Sequence, residues 1–192
     1  KVIQTKNHSR VSKIQNKSIQ LSLLLSIPAS LGLIIASDEI VNGLFGYGSF
    51  SVKDVEMTSK ALMFFGYGVV AFSLVKILAN FFFARDNTKI PFYISSFIVF
   101  LNLIISVSLF SKFGFLIIPI ATSISTWIGV LIFLYSLKKY NYLLLQKQLI
   151  SNILKILTTS AIMAFALVFF LEKYATFLDY TYTYKSIFLL VI

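Results

Sequence analysis

The chain has no cysteine and a single histidine, His8, in a polar stretch near its start. The first absence excludes disulfides and thiolate metal sites. The second argues against histidine-based catalysis and against a multi-histidine metal centre. Charge is scarce as well: 12% of the 192 residues are Asp, Glu, Lys or Arg, and only seven of them are acids. The carboxylates sit in loops or at the ends of apolar runs. Nothing forms a nucleophile–base pair or a phosphate loop, which an intramembrane enzyme would need.

Apolar surface is what the chain has in excess. It is 58% hydrophobic and 16% aromatic, with a mean hydropathy of +0.87. A soluble domain cannot hide that much, so the composition is that of an integral membrane protein. Twenty Phe and ten Tyr suit lipid-facing and interfacial positions. The runs predict an all-α polytopic membrane protein, a helical bundle with spans near 21–45, 61–84, 91–110, 115–137, 150–171 and 184–192. Pro28 and Gly32 interrupt the first span, and its part beyond Asp38 and Glu39 reads as interfacial. Ser51 with Asp54 three residues on reads as a helix-start cap. Pro91 falls in the first turn of the third span, where its missing donor costs least. Ala121, Thr122, Ser123, Ser125, Thr126 and Gly129 predict a helix–helix contact face on the fourth. Residues 138–147 read as an interfacial amphipathic turn. The chain starts without Met in a basic stretch and stops inside an apolar run, so both ends are expected to be cuts and the last span truncated.

The net charge of +10 invites a nucleic-acid reading. The charges, however, lie in loops between apolar runs, as the positive-inside rule would have them. With loops on alternating sides, one side collects twelve basic residues and one acid, Asp86, and the other five basic residues and six acids. The bias assigns the basic segment 1–20 and the turn 85–90 to the cytoplasm.

Polar groups inside spans are costly and point to function by default. Lys76 is the only charge well inside one. It either snorkels toward headgroups or a helix-end carbonyl, or lines a polar cavity that meets an anionic substrate. Arg85 and Lys89 in the cytoplasmic turn read as topology anchors that also meet anionic headgroups. Asn102 and Ser106 share a face of the third span at i, i+4, with Thr122 across a short hairpin. Together with a carbonyl loosened by Pro119 they can offer oxygen ligands to a small cation. They can equally be hydrogen-bonding glue within the hairpin.

Residues 75–91, VKILANFFFARDNTKIP, are similar to a family pattern V-K-V-L-A-P-x-F-Y-A-R-x-D-T-x-T-P. Val75, Lys76, Leu78, Ala79, Phe82, Ala84, Arg85, Thr88 and Pro91 follow it, while Asn80, Phe83 and Ile90 depart from it. Leu44, Phe45, Gly48, Phe50 and Ser51 match a second motif, L-F-x-x-G-x-F-[ST]. Residues 114–127 match a third, G-L-A-L-A-T-S-L-[SA]-A-W. On these motifs the chain resembles the MurJ (MviN-type) lipid II flippases of the multidrug/oligosaccharidyl-lipid/polysaccharide exporter superfamily.

The resemblance implies a transporter rather than an enzyme, with fourteen helices in two lobes. Residues 21–192 would be the C-terminal transmembrane lobe, helices nine to thirteen and the start of fourteen. The implied activity is cell-wall biogenesis: moving the undecaprenyl-pyrophosphate-linked peptidoglycan precursor across the bacterial inner membrane by alternating access. That lipid, membrane lipids and the N-terminal lobe of the same chain are the implied partners, and nucleic acid is not one. No organic cofactor is implied, and the coupling ion would be Na+ or H+. The family's cation site would align with Asn102, Ser106, the Ile118 carbonyl and Thr122. The family's main cavity arginines fall outside this chain, and Lys76 is the cavity candidate within it. Two alternatives stand beside this reading. One is another exporter of the superfamily, an O-antigen-type flippase or a cation-coupled drug antiporter, against which the motif at 82–91 argues. The other is a non-transporting membrane scaffold.

Overall fold

The structure is a computed structural model that describes residues 8–178. Among them are six α-helices: α1 (His8–Ile35), α2 (Ser37–Phe45), α3 (Val52–Phe83), α4 (Lys89–Phe113), α5 (Ile117–Lys139) and α6 (Lys147–Leu178). The expected sixth span, 184–192, lies outside the described residues.

Four stretches are long and apolar enough to cross a bilayer: Arg10–Ile35, Val52–Phe83, Lys89–Lys139 and Lys147–Lys173. The third has 51 residues. As one straight helix it would run about 75 Å, more than twice a hydrocarbon core of about 30 Å. It folds back instead. Gly114 takes φ 58° and ψ −144°, a conformation that side chains disfavour. A 3-10 turn, Gly114–Leu116, then leads into α5. The apolar windows of the four stretches are only 6–22% buried. A helix of a soluble bundle turns its apolar stripe inward. These turn most of theirs outward, as helices do when the solvent is lipid.

The helices pack in the order α6, α1, α3, α5, α4, and α2 lies against α3. Hydrogen bonds to backbone carbonyls mark the crossings. Ser30 Oγ donates to Gly66 O at 2.7 Å, joining α1 to α3. Ser123 Oγ donates to Phe64 O at 2.7 Å and Trp127 Nε1 to Tyr67 O at 3.0 Å, joining α5 to α3. A Cβ on Gly66 would stand 2.9 Å from the Ile34 side chain, so glycine is what lets α1 approach there. The small stripe on α5 is a contact face as its sequence predicts. Ala121, Ser123, Ser125, Thr126 and Gly129 are buried, and Thr122 is half-buried.

The apolar core draws Leu23, Leu78, Phe82, Phe133, Leu137 and Ile156 from four helices. It lies toward the end where the start of α1, the α3–α4 turn and the α5–α6 connection meet, which is the basic end of the bundle.

Several helix ends follow the sequence and others do not. Ser51 and Asp54 form the expected capping box: Ser51 N donates to Asp54 Oδ2 at 2.9 Å and Asp54 N to Ser51 Oγ at 3.3 Å. The helix they cap starts at Val52, well before residue 61. α1 is already helical at His8, the first described residue, so much of the stretch read as a basic segment is helix, and the helix breaks before Ser37 rather than running to Phe45. α6 passes residue 171 and is helical to Leu178, the last described residue. Within the connection 138–147, residues 142–146 are non-helical. α5 stops because Asn141 takes a left-handed φ of 54° and the Tyr142 N–H turns back to Leu137 O at 2.8 Å. α3 ends the same way, with Asp86 at φ 57° and Asn87 N donating to Phe82 O at 3.1 Å.

Candidate functional site

Arg85 joins the α3–α4 turn to the α5–α6 connection. Its Nη1 donates to Phe81 O at 2.7 Å and its Nη2 to Tyr142 O at 3.1 Å. The guanidinium carbon lies 4.4 Å from the centroid of the Tyr142 ring. Phe81 O is among the last carbonyls of α3, which have no amide of the next turn to accept from. Burial holds the Arg85 guanidinium below its ordinary value, and Tyr142 opposes that shift. The group remains charged at any physiological pH. Its engagement is therefore within the chain as well as at the surface.

The non-helical residues 142–146 need partners for their backbone groups where they are covered. Two amides of α1 supply them. Gln15 Nε2 donates to Tyr142 O at 2.8 Å, and Gln15 Oε1 accepts from Leu144 N at 3.1 Å. Asn16 Nδ2 donates to Leu144 O at 2.7 Å, and Asn16 Oδ1 accepts from Gln146 N at 3.0 Å. Residues 142, 144 and 146 are thus gripped at alternate positions, as a neighbouring strand would grip them. Ser12 Oγ adds a bond to Leu144 O at 2.8 Å. Under this clamp sits Phe82, fully buried, with the rings of Phe133, Tyr140 and Tyr142 at 6.1, 6.4 and 5.7 Å. Neither Gln15 nor Asn16 stands out in the sequence. The available signal was spacing: Val11, Gln15 and Ile19, four residues apart, are all buried on one face of α1.

Lys76 stands on α3, about 13 Å along the helix from Arg85. Its side chain is exposed and makes no hydrogen bond or ion pair with the described residues. Asn80 and Phe83, one and two turns on, are exposed on the same face. Lys89, the first residue of α4, is exposed beside an open hollow lined by Phe83, Pro91, Phe92 and Tyr93.

In the α4–α5 hairpin three of the four expected cation ligands come together. Asn102 Nδ2 donates to Thr122 Oγ1 at 2.8 Å, and Thr122 Oγ1 donates to Ile118 O at 2.7 Å. Ser106, one turn along α4, has a buried hydroxyl oxygen with no partner among the described residues. Pro119 falls in the first turn of α5. Pro119 offers no N–H to Phe115 O, four residues back, which accepts from the Ile117 N–H instead. The Ile118 carbonyl is not loosened by Pro119; it is occupied by the Thr122 hydroxyl. All the oxygens gathered here are neutral, and no group of three or more His, Cys, Asp or Glu that could hold a metal occurs among the described residues.

Helices this long, with their apolar faces outward, make the chain part of a multi-pass integral membrane protein. The family model for the lipid II flippase MurJ matches residues 1–188. The chain belongs to the MurJ lipid II flippase family, a family of transporters and not of enzymes. A protein of Rickettsia prowazekii (strain Madrid E) named "Probable lipid II flippase MurJ" is 36% identical over 141 residues, which is 73% of this chain and 28% of that protein. The "Lipid II flippase MurJ" of Thermosipho africanus (strain TCF52B) is 31% identical over 152 residues, 79% of this chain and 30% of that one. A solved structure of the lipid II flippase MurJ in an inward closed conformation matches with a TM-score of 0.74 at 29% identity. That match covers 83% of this chain and 33% of the solved one. The chain therefore spans about a third or less of the proteins it matches.

Proposed function

We propose that the chain forms the C-terminal lobe of a flippase that carries lipid II, the undecaprenyl-pyrophosphate-linked peptidoglycan precursor, from the cytoplasmic to the periplasmic leaflet of the bacterial inner membrane. The family match over residues 1–188 carries the reading. The charge bias supports a cytoplasmic basic end. A lysine facing lipid in mid-helix is expensive, so the open face of α3 that carries Lys76 turns to an aqueous cavity shared with the N-terminal lobe. There Lys76 meets the pyrophosphate. The clamp at the basic end lets the lobe rock as one body during alternating access. Coupling is by Na+ or H+. Asn102, Ser106, Thr122 and the Ile118 carbonyl offer neutral ligands to Na+, and the balancing negative charge comes from outside this chain.

The test is to express the full-length gene in a bacterium depleted of its own MurJ. Growth rescue is the expected result. Absence of rescue by a correctly inserted, folded protein rejects the reading. So does purified protein that moves an O-antigen-type lipid-oligosaccharide or a drug cation across vesicles but not lipid II.

A further inference from the structure

We propose that a cleft at the basic end, between α1 and the start of α6, binds the phosphate of an anionic phospholipid. The cavity there has a volume of about 240 Å³. Its polar lining includes Lys13, Lys17, Gln20, Gln148 and Asn152, with Leu21 and Leu149 beside them. Lys13 and Lys17 lie one turn apart on the same face of α1 and repel each other. Both are exposed, and neither makes an ion pair or hydrogen bond with the described residues. No lining residue is acidic. Leu149 N at the start of α6 already donates to Gln146 O at 3.0 Å; the helix start still adds positive potential at the same place.

The walls of the cleft are fixed without a ligand. Asn16 Oδ1 accepts from Gln146 N at 3.0 Å, and Asn152 Nδ2 donates to Gln20 Oε1 at 3.0 Å. That leaves Gln20 Nε2 as a spare donor among the described residues. A ligand that enters finds the walls and the Gln20 amide already in place, so the ordering it requires is that of the two lysine side chains.

The rim decides which phosphate it is. Lys13 and Lys17 precede the apolar run that starts at Leu21. Leu21 lines the cleft, and Leu24, one turn beyond Gln20 on the same face of α1, continues its edge; both are exposed. A phosphodiester with acyl chains satisfies both parts, with its phosphate on the lysines and its chains along the leucines. Free phosphate would leave the apolar rim unused. The inference needs the cleft to lie at a membrane surface; it does not need the protein to transport lipid II.

Native mass spectrometry of the intact protein in detergent tests it, with phosphatidylglycerol, phosphatidylcholine or inorganic phosphate added. The expected result is retention of phosphatidylglycerol over phosphatidylcholine. K13Q/K17Q weakens it on the order of tenfold, and K13R/K17R retains it. Gln148→Glu brings a negative charge to the lining at a helix start that tolerates one, and weakens it as well. K138Q/K139Q removes the same charge from the same end and leaves binding unchanged. Wild-type affinity in K13Q/K17Q and Gln148→Glu would overturn the proposal. Equal loss in K138Q/K139Q would reduce it to diffuse attraction, and displacement of the lipid by inorganic phosphate at equal concentration would make it a small-anion site instead.

Discussion

At the basic end of the bundle the covered backbone of residues 142–146 is paired: Gln15 and Asn16 hold it from α1, Arg85 reaches it from the α3–α4 turn, and Phe82 fills the space beneath. In the α4–α5 hairpin a single interhelical side-chain bond, Asn102 to Thr122, stands beside a buried Ser106 hydroxyl with no partner among the described residues. The difference separates two uses of polarity in a membrane protein. Reciprocal, bidentate pairs fix one arrangement, because breaking either partner strands a buried donor. A lone amide–hydroxyl bond can exchange partners at small cost, and an unpaired hydroxyl costs something even at rest. The first arrangement holds a single geometry, and the second leaves room for exchange of partners.

Stability measurements can break this contrast. Phe82→Ala should have the largest effect, about 3–5 kcal/mol, because the residue is fully buried and its cavity cannot collapse against a clamped connection. Gln15→Leu should follow at about 1–3 kcal/mol, since it strands the Leu144 N–H while Tyr142 O keeps Arg85. Asn102→Ala should cost about 0.6 kcal/mol, the typical worth of one interhelical hydrogen bond between membrane helices. Ser106→Ala should be neutral or slightly stabilising, because it removes a buried hydroxyl that has no partner. Thermal or denaturant unfolding in one detergent gives the order. An Asn102→Ala protein less stable than Gln15→Leu would contradict the contrast.

What was legible in the sequence was local or periodic. The apolar runs located the five long helices, the Ser51–Asp54 box lies within four residues, and the stripe from Ala121 to Gly129 repeats at helical spacing. The hairpin contact of Asn102 with Thr122 was also within reach, because a short turn brings the two together. The clamp was not. Gln15 and Leu144 are far apart in sequence, and an amide in a polar run looks solvated until its partner strand is known. Arg85 looked like a surface anchor for the same reason, since its acceptors Phe81 O and Tyr142 O are backbone atoms that no side-chain pattern reveals. The span expected near 150–171 lies inside the apolar stretch Lys147–Lys173, and α6 is still helical beyond Glu172 and Lys173.

Two basic residues on and just after α3 carry the account's central claim, that a paired cation here is structural and an unpaired one functional. The direct measurement compares Lys76→Gln and Arg85→Gln in the full-length protein, with melting temperature and lipid II translocation in vesicles read from the same preparation. Lys76→Gln is expected to melt as the wild type does and to lose translocation on the order of tenfold or more, the worth of one charge-assisted contact. Arg85→Gln is expected to melt earlier. Wild-type translocation by Lys76→Gln, together with an unchanged melting temperature for Arg85→Gln, would contradict it.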